Sequence, residues 1–328
     1  MQQRYVGRTG LRVSRIGLGT MSWGRSTDQY DAAEQLRAFL DADGTLVDTA
    51  AGYSDGDAER VLGIVLAKVL GESRALERES LVLAGKVGVS RAGGSRVVDT
   101  SRRALLAGLD NTLRRIGVDH LDLWQLQAWG APVPLDETLA ACQYAVSTGR
   151  VRYVGVAHHK GWQTALAAAG FAQLGGGRLA SVQAEYSLVS RGAEDELLPA
   201  ASELGLGFFP AAPLGRGVLT GKYRLGARGP GRAGSTGNAA APVALSQYLS
   251  PRRRGIVDAV CRAADGLDLT PAEVALAWVR DRPGVTAPIV GARTAQQLRT
   301  SLAVERVVLP LAIVQALDEV SQPARADA

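Results

Sequence analysis

The chain has 328 residues, 46% hydrophobic and 21% charged, which suits two ordinary domains or one large α/β barrel. Its net charge of +5 comes from arginines scattered among acids, with only Arg252, Arg253 and Arg254 clustered and no aromatic residues between them, which argues against a nucleic-acid partner. Two distant cysteines (Cys142 and Cys261), three histidines, the lack of a long apolar run and the lack of a leader pattern at the start argue against a disulfide scaffold, a metal site, a membrane span and secretion, so a cytoplasmic location is expected.

Residues 4–14, RYVGRTGLRVS, hold two short β-prone runs around a glycine-containing turn and predict an N-terminal hairpin. Apolar runs follow at Ile16–Gly19, Leu46–Ala50, Leu81–Val87, Leu121–Gln127, Tyr153–Ala157, Ser181–Tyr186, Gly207–Pro213 and Val285–Ala292. Most are dense in Val, Leu and Ile rather than alternating, as strands buried on both faces are. Between them lie segments of helical period, at 31–44, 58–71, 100–117, 134–149, 161–170, 194–205, 251–266, 270–284 and 294–304. Several end in glycine, and Thr270-Pro271-Ala272-Glu273 carries a cap, a first-turn proline and a glutamate three residues on.

Strand and helix therefore alternate eight times, which predicts one (β/α)8 TIM barrel with an N-terminal β-hairpin and an extra C-terminal helix, a single domain over 1–328. A doubly wound open sheet fits less well, because no strand runs into a GxGxxG turn. Residues 226–242, rich in Gly, Pro and Ala after strand seven, read either as a flexible loop over the mouth or as a plain insert.

In a barrel, the C-terminal strand ends meet at one mouth. There the chain brings Asp48, Tyr53 just beyond it, Lys86 and Gln127. Lys86 is one of four lysines and lies in an apolar run, where an ammonium needs a counter-ion. Asp48 is the natural one. Tyr53 beside that cation is expected to have its phenol pKa lowered and to serve as a proton donor. An ion pair that plugs the barrel, with Tyr53 a plain turn residue, fits the spacing equally well.

The chain resembles the aldo-keto reductase family along nearly its whole length. The resemblance rests on GRTGLRVSRIGLGTM (7–21), VDTAAGYSDGDAERVLG (47–63), LVLAGKV (81–87), NTLRRIGVDHLDLWQL (111–126), GRVRYVGVAHHKGWQ (149–163), VQAEYSLVSR (182–191), PLGRGVLTGKYR (213–224) and GARTAQQL (291–298). It implies a barrel that binds extended NADPH and reduces carbonyls, with Tyr53 as general acid, Lys86 and Asp48 tuning it, and Gln127 where the family carries histidine. It also implies cofactor contacts from Gly19, Thr20, Met21, Asp48, Ala157, His158, Gln183, Ala211, Pro213, Leu214, Gly215, Gly217 and Lys222, and, around the adenosine phosphate, from Gly291, Arg293, Gln297, Thr300 and Ser301.

Several positions depart from the family pattern. Ala157 and His158 replace a Ser-Asn pair, Ala211 replaces an aromatic ring, and Thr300 and Ser301 replace Glu-Asn. Trp23 and Trp129 follow strands toward the mouth and read either as substrate-pocket walls with Tyr53 or as core. The partner implied is a small-molecule carbonyl substrate, with no nucleic acid, membrane or metal; monomer and homo-oligomer stay open. A second reading resembles the β subunits of voltage-gated potassium channels: a cofactor-binding regulatory protein with vestigial turnover, sharing the barrel and an amide at the histidine position.

Overall fold

A computed structural model describes residues 1–72, 77–92, 95–223, 248 and 250–323. The expected loop at 226–242 lies outside them. The chain opens on a hairpin, β1 (Gln3–Tyr5) antiparallel to β2 (Arg12–Ser14), as its sequence suggests.

The barrel strands are β3 (Gly17–Gly19), β4 (Leu46–Asp48), β5 (Val82–Val87), β8 (Leu121–Leu126), β9 (Val151–Ala157), β10 (Ser181–Glu185), β11 (Gly207–Ala211) and β12 (Ile289–Val290). All pair in parallel in the order β11-β10-β9-β8-β5-β4-β3-β12. Thr286 N–H donates to Phe208 O at 2.8 Å, and Val285 bridges Phe208, bringing the last strand back beside β11. The result is the nearly closed (β/α)8 barrel that the alternation predicts. The hairpin belongs to its lower end, where Val6 and Val13 pack with Leu46, Leu123, Phe209 and Ile289.

The helices are α1 (Gln29–Leu40), α2 (Asp57–Glu72), α3 (Arg102–Ile116), α4 (Leu135–Ser147), α5 (Gly161–Gln173), α6 (Leu197–Leu204), α7 (Pro251–Leu267), α8 (Pro271–Arg280), α9 (Ala295–Leu302) and α10 (Leu311–Ser321). Their starts follow local chemistry. Thr270 and Glu273 form the reciprocal cap foreseen for α8, and α3 begins at a Ser101 cap and ends on left-handed Gly117. The C-terminal helix α10 is tied down by Asp318, which accepts from Arg282 Nη1 at 2.8 Å and from Trp278 Nε1 at 3.2 Å.

One element was not expected. After β5 the chain forms a second hairpin, β6 (Val89–Ala92) against β7 (Ser95–Val98), before α3. Its signal was present, a Gly93-Gly94 pair between short matching runs of Val, Ser and Arg, but the barrel alternation spans it without needing it.

Candidate active site

Parallel pairing carries Asp48, Lys86, Gln127, Ala157, Gln183 and Ala211 to one end of the barrel. The Lys86 ammonium lies 2.5 Å and 2.6 Å from the two carboxylate oxygens of Asp48, with the lysine side chain 0% exposed and the aspartate side chain 2% exposed. Gln183 Nε2 donates to the same carboxylate at 3.0 Å. Burial opposes the charge on Lys86, but Asp48 outweighs it and holds the ammonium pKa above its ordinary value.

Tyr53 enters on the turn after β4, with its ring centroid 5.2 Å from Lys86 Nζ. The phenol pKa runs against expectation. It lies above its ordinary value, because burial and the nearby Asp48 charge outweigh the pull of Lys86. Tyr53 is therefore held protonated rather than acidified.

The turn that presents it is strained. Ser54, Asp55 and Gly56 follow one another at φ 50°, 54° and 93°. Ser54 Oγ donates to Trp23 O at 3.1 Å on one side. On the other, Arg115 of α3 supports Gly56 and donates to Glu59 Oε2 at 2.9 Å, while Thr112 donates to Glu59 Oε1 at 2.8 Å. Positive φ at His158, Ala212 and Arg216 adds three more unusual residues at the same end of the barrel.

Gln127 is half-buried beyond β8, its backbone N–H bonded to Val87 O at 2.9 Å. Its Oε1 is buried without a hydrogen-bond partner and lies 3.9 Å from where a Cβ on Gly52 would sit, next to Tyr53. Gln125, two residues earlier, faces the barrel interior at 0% exposure, packs toward Gly155 and leaves both amide atoms unpaired.

The remaining expected contacts divide. Gly19 and Thr20 are buried beside Asp48, with the Thr20 hydroxyl bonded to Thr49 and the Asp48 carbonyl, while Met21 is 54% exposed. Ala157 is enclosed and offers no polar group; His158 beside it is exposed at the mouth. Although the residue is exposed, desolvation of its ring against the barrel end, with Lys86 and Arg96 adding to it, holds the His158 imidazole down to about 4. Pro213, Leu214, Gly215 and Gly217 form the turn after Ala211, where Lys222 packs so closely that a Cβ on Gly217 would lie 2.8 Å from its ammonium. Gly291 is exposed, and the Arg293 N–H donates to Gln297 Oε1 at 3.0 Å at the start of α9.

Other placements are set by local bonding. Ser301 is buried with its hydroxyl on Gln297 O, and Thr300 bonds back to Gln296 O, so both hydroxyls serve their own helix. Trp23 is no pocket wall: it is 0% exposed and its indole donates to Gln35 at 3.0 Å. Trp129 stays half-buried, edge-on to Trp162 at 5.4 Å and to His159 at 5.6 Å. His159 is 4% exposed, with Nδ1 2.9 Å from Ala157 O.

These polar groups suit an extended, phosphate-bearing dinucleotide. Gln127 presents an orphaned amide oxygen beside Tyr53, the Gly215–Gly217 turn carries the Lys222 ammonium, and Arg293 stands at a helix start.

Residues 15–322 match the Aldo/keto reductase family. The chain is 33% identical to "Uncharacterized oxidoreductase YrpG" of Bacillus subtilis over 98% of this chain and 96% of that one. It is 29% identical to "Probable voltage-gated potassium channel subunit beta" of Arabidopsis thaliana over 98% and 96% of the two chains. It is also 29% identical to "L-glyceraldehyde 3-phosphate reductase" of Escherichia coli over 92% of this chain and 87% of that one.

Proposed function

The chain belongs to the aldo/keto reductase family, and from that premise we propose that it reduces a small or medium aldehyde, ketone or keto-sugar with NADPH, Tyr53 giving the proton. Gly215, Gly217, Lys222 and Arg293 would hold the phosphates, and Gln183 the nicotinamide end. When bound, NADPH supplies the hydride that adds to the carbonyl carbon.

The chain's own residues manage the oxygen. Tyr53 keeps its proton through neutral pH because burial disfavours the phenolate. As charge builds on the substrate oxygen, Tyr53 donates to it, and the Lys86 cation stabilises the phenolate left behind. Asp48 keeps Lys86 charged and fixed, and Gln183 orients Asp48. The Gln127 amide can offer an N–H to the same oxygen but, unlike histidine, cannot take up a proton.

The observation that carries this reading is the enclosed Lys86–Asp48 pair with the Tyr53 ring beside it. Tyr53→Phe tests it. NADPH oxidation across a carbonyl panel should fall at least about 100-fold, while NADPH affinity, read by fluorescence titration, is retained. Turnover that survives in the variant rules out the proton role.

A second reading, an NADP(H)-binding regulatory protein with vestigial turnover, is favoured by Ala157 and Ala211, which lack the groups expected against nicotinamide, and by the likeness to the plant channel subunit. Under it, oxidation of bound NADPH is slow with every carbonyl and a protein partner co-purifies.

A further inference from the structure

The β6–β7 hairpin leaves the barrel three residues after Lys86, and its root is part of the catalytic wall. Val89 O lies 3.2 Å from the position of a Cβ on Gly52, the residue before Tyr53. Gln127 N–H donates to Val87 O, and Asp99 N–H to Gly88 O. In the antiparallel register, Arg91 pairs with Arg96.

Directly opposite residues share one face of a ribbon, with Cβ atoms about 4.5–5.5 Å apart, and like charges there cost stability. Both arginines are exposed, and among the described residues neither guanidinium has a hydrogen bond or ion pair. The charge of Arg96 reaches His158 at the end of β9, where it assists burial in keeping that imidazole neutral.

We propose that Arg91 and Arg96 bind a phosphomonoester group on the carbonyl substrate, an inference that rests on the reductase reading above. Two positive charges match a group that carries about −1.5 to −2 at neutral pH, whereas a carboxylate leaves one guanidinium uncompensated. Guanidinium forks meet phosphate oxygens with directional hydrogen bonds. From Lys86 to Arg91 is at most about 17 Å of extended chain, and the left-handed Gly88 at its start shortens the span. The phosphate thus sits several bonds from the reacting carbon.

The test uses the NADPH-saturated protein and two substrate pairs: glyceraldehyde 3-phosphate against glyceraldehyde, and succinic semialdehyde against butanal. kcat/KM should favour the phosphorylated member of its pair by about tenfold or more, exceed the preference for the carboxylate, and fade below about pH 6 as the phosphate takes its second proton. In Arg91→Gln/Arg96→Gln that preference should collapse, and in Arg91→Lys/Arg96→Lys part of it should return. No preference in the parent protein, or equal losses for both members of a pair in the double variant, overturns the proposal. A carboxylate preference equal to or above that for phosphate overturns the phosphomonoester assignment.

If none of the four aldehydes is reduced, the fault lies with the reductase reading as applied to them and not with the hairpin, and calorimetry with glycerol 3-phosphate decides the hairpin's role. Binding to the parent about tenfold tighter than to the glutamine variant supports the hairpin, and equal binding overturns it. Far-UV circular dichroism checks that the variant is folded.

Discussion

Arg115 lies directly beneath Gly56: a Cβ built on that glycine would fall 2.8 Å from the guanidinium carbon. A residue three positions after Tyr53 thus rests on a side chain from α3, itself held by the enclosed Glu59. At φ 93° a side chain is strained, and a Cβ here would also have to push the Arg115 guanidinium aside. Gly56→Ala should cost about 1–3 kcal/mol of stability and, by displacing the Tyr53 turn, lower turnover more than it weakens NADPH binding. Urea unfolding and steady-state kinetics on the same preparation read both effects. Unchanged turnover would mean that Tyr53 is positioned independently of this support.

Lys86→Met leaves the Asp48 carboxylate enclosed with only the Gln183 amide to satisfy it. Breaking a buried pair on one side costs about 3–5 kcal/mol, so the urea midpoint should fall sharply. Adding Asp48→Asn should recover most of that loss without restoring turnover. A single variant as stable as the parent would show that water enters the site freely.

Arg293→Ala should weaken NADPH by about tenfold or more, the worth of a charge-assisted phosphate contact, and change NADH affinity little. Fluorescence titration with both nucleotides measures the difference. Equal losses would remove the 2′-phosphate from Arg293's role.

His158 supplies a pH test. Its imidazole, exposed at the mouth, is held down to about 4, against an ordinary 6.5, first by desolvation against the barrel end and then by the charges of Lys86 and Arg96, with solvent screening limiting the effect on stability. Between those values the unfolded chain binds a proton that the folded chain refuses. The folded state is therefore progressively penalised as pH falls from 6.5 toward about 4, and is unaffected above 6.5. The drop in Tm between about pH 7 and about pH 5 should shrink in His158→Asn. The same drop in both proteins would place the sensitivity elsewhere.

Local patterns carried most of the architecture. The eight apolar runs became strands within a few residues of their predicted bounds, and the Thr270–Glu273 cap formed as its sequence indicates. The arrival of Asp48 and Lys86 at one mouth was legible too, because strand order and parallel direction leave little choice. Side-chain direction at loops was not. Trp23 follows a strand toward the mouth yet turns into the core, because Gln35 on α1 offers its indole an acceptor. The β6–β7 hairpin escaped notice because a barrel tolerates insertions between strand and helix, and nothing in its period conflicts with the alternation.

By itself, then, the sequence determined the barrel, the residues at its strand ends and the likeness to the aldo/keto reductases, since periodicity and spacing are properties of neighbouring residues. Only the tertiary structure decided that Tyr53 is held protonated, that Gln125 is enclosed while Gln127 reaches the mouth, and that Arg91 faces Arg96. Burial and electrostatics are sums over groups near in space: Asp48 meets Lys86 from 38 residues away and Gln183 from 135. A one-dimensional pattern does not encode that sum.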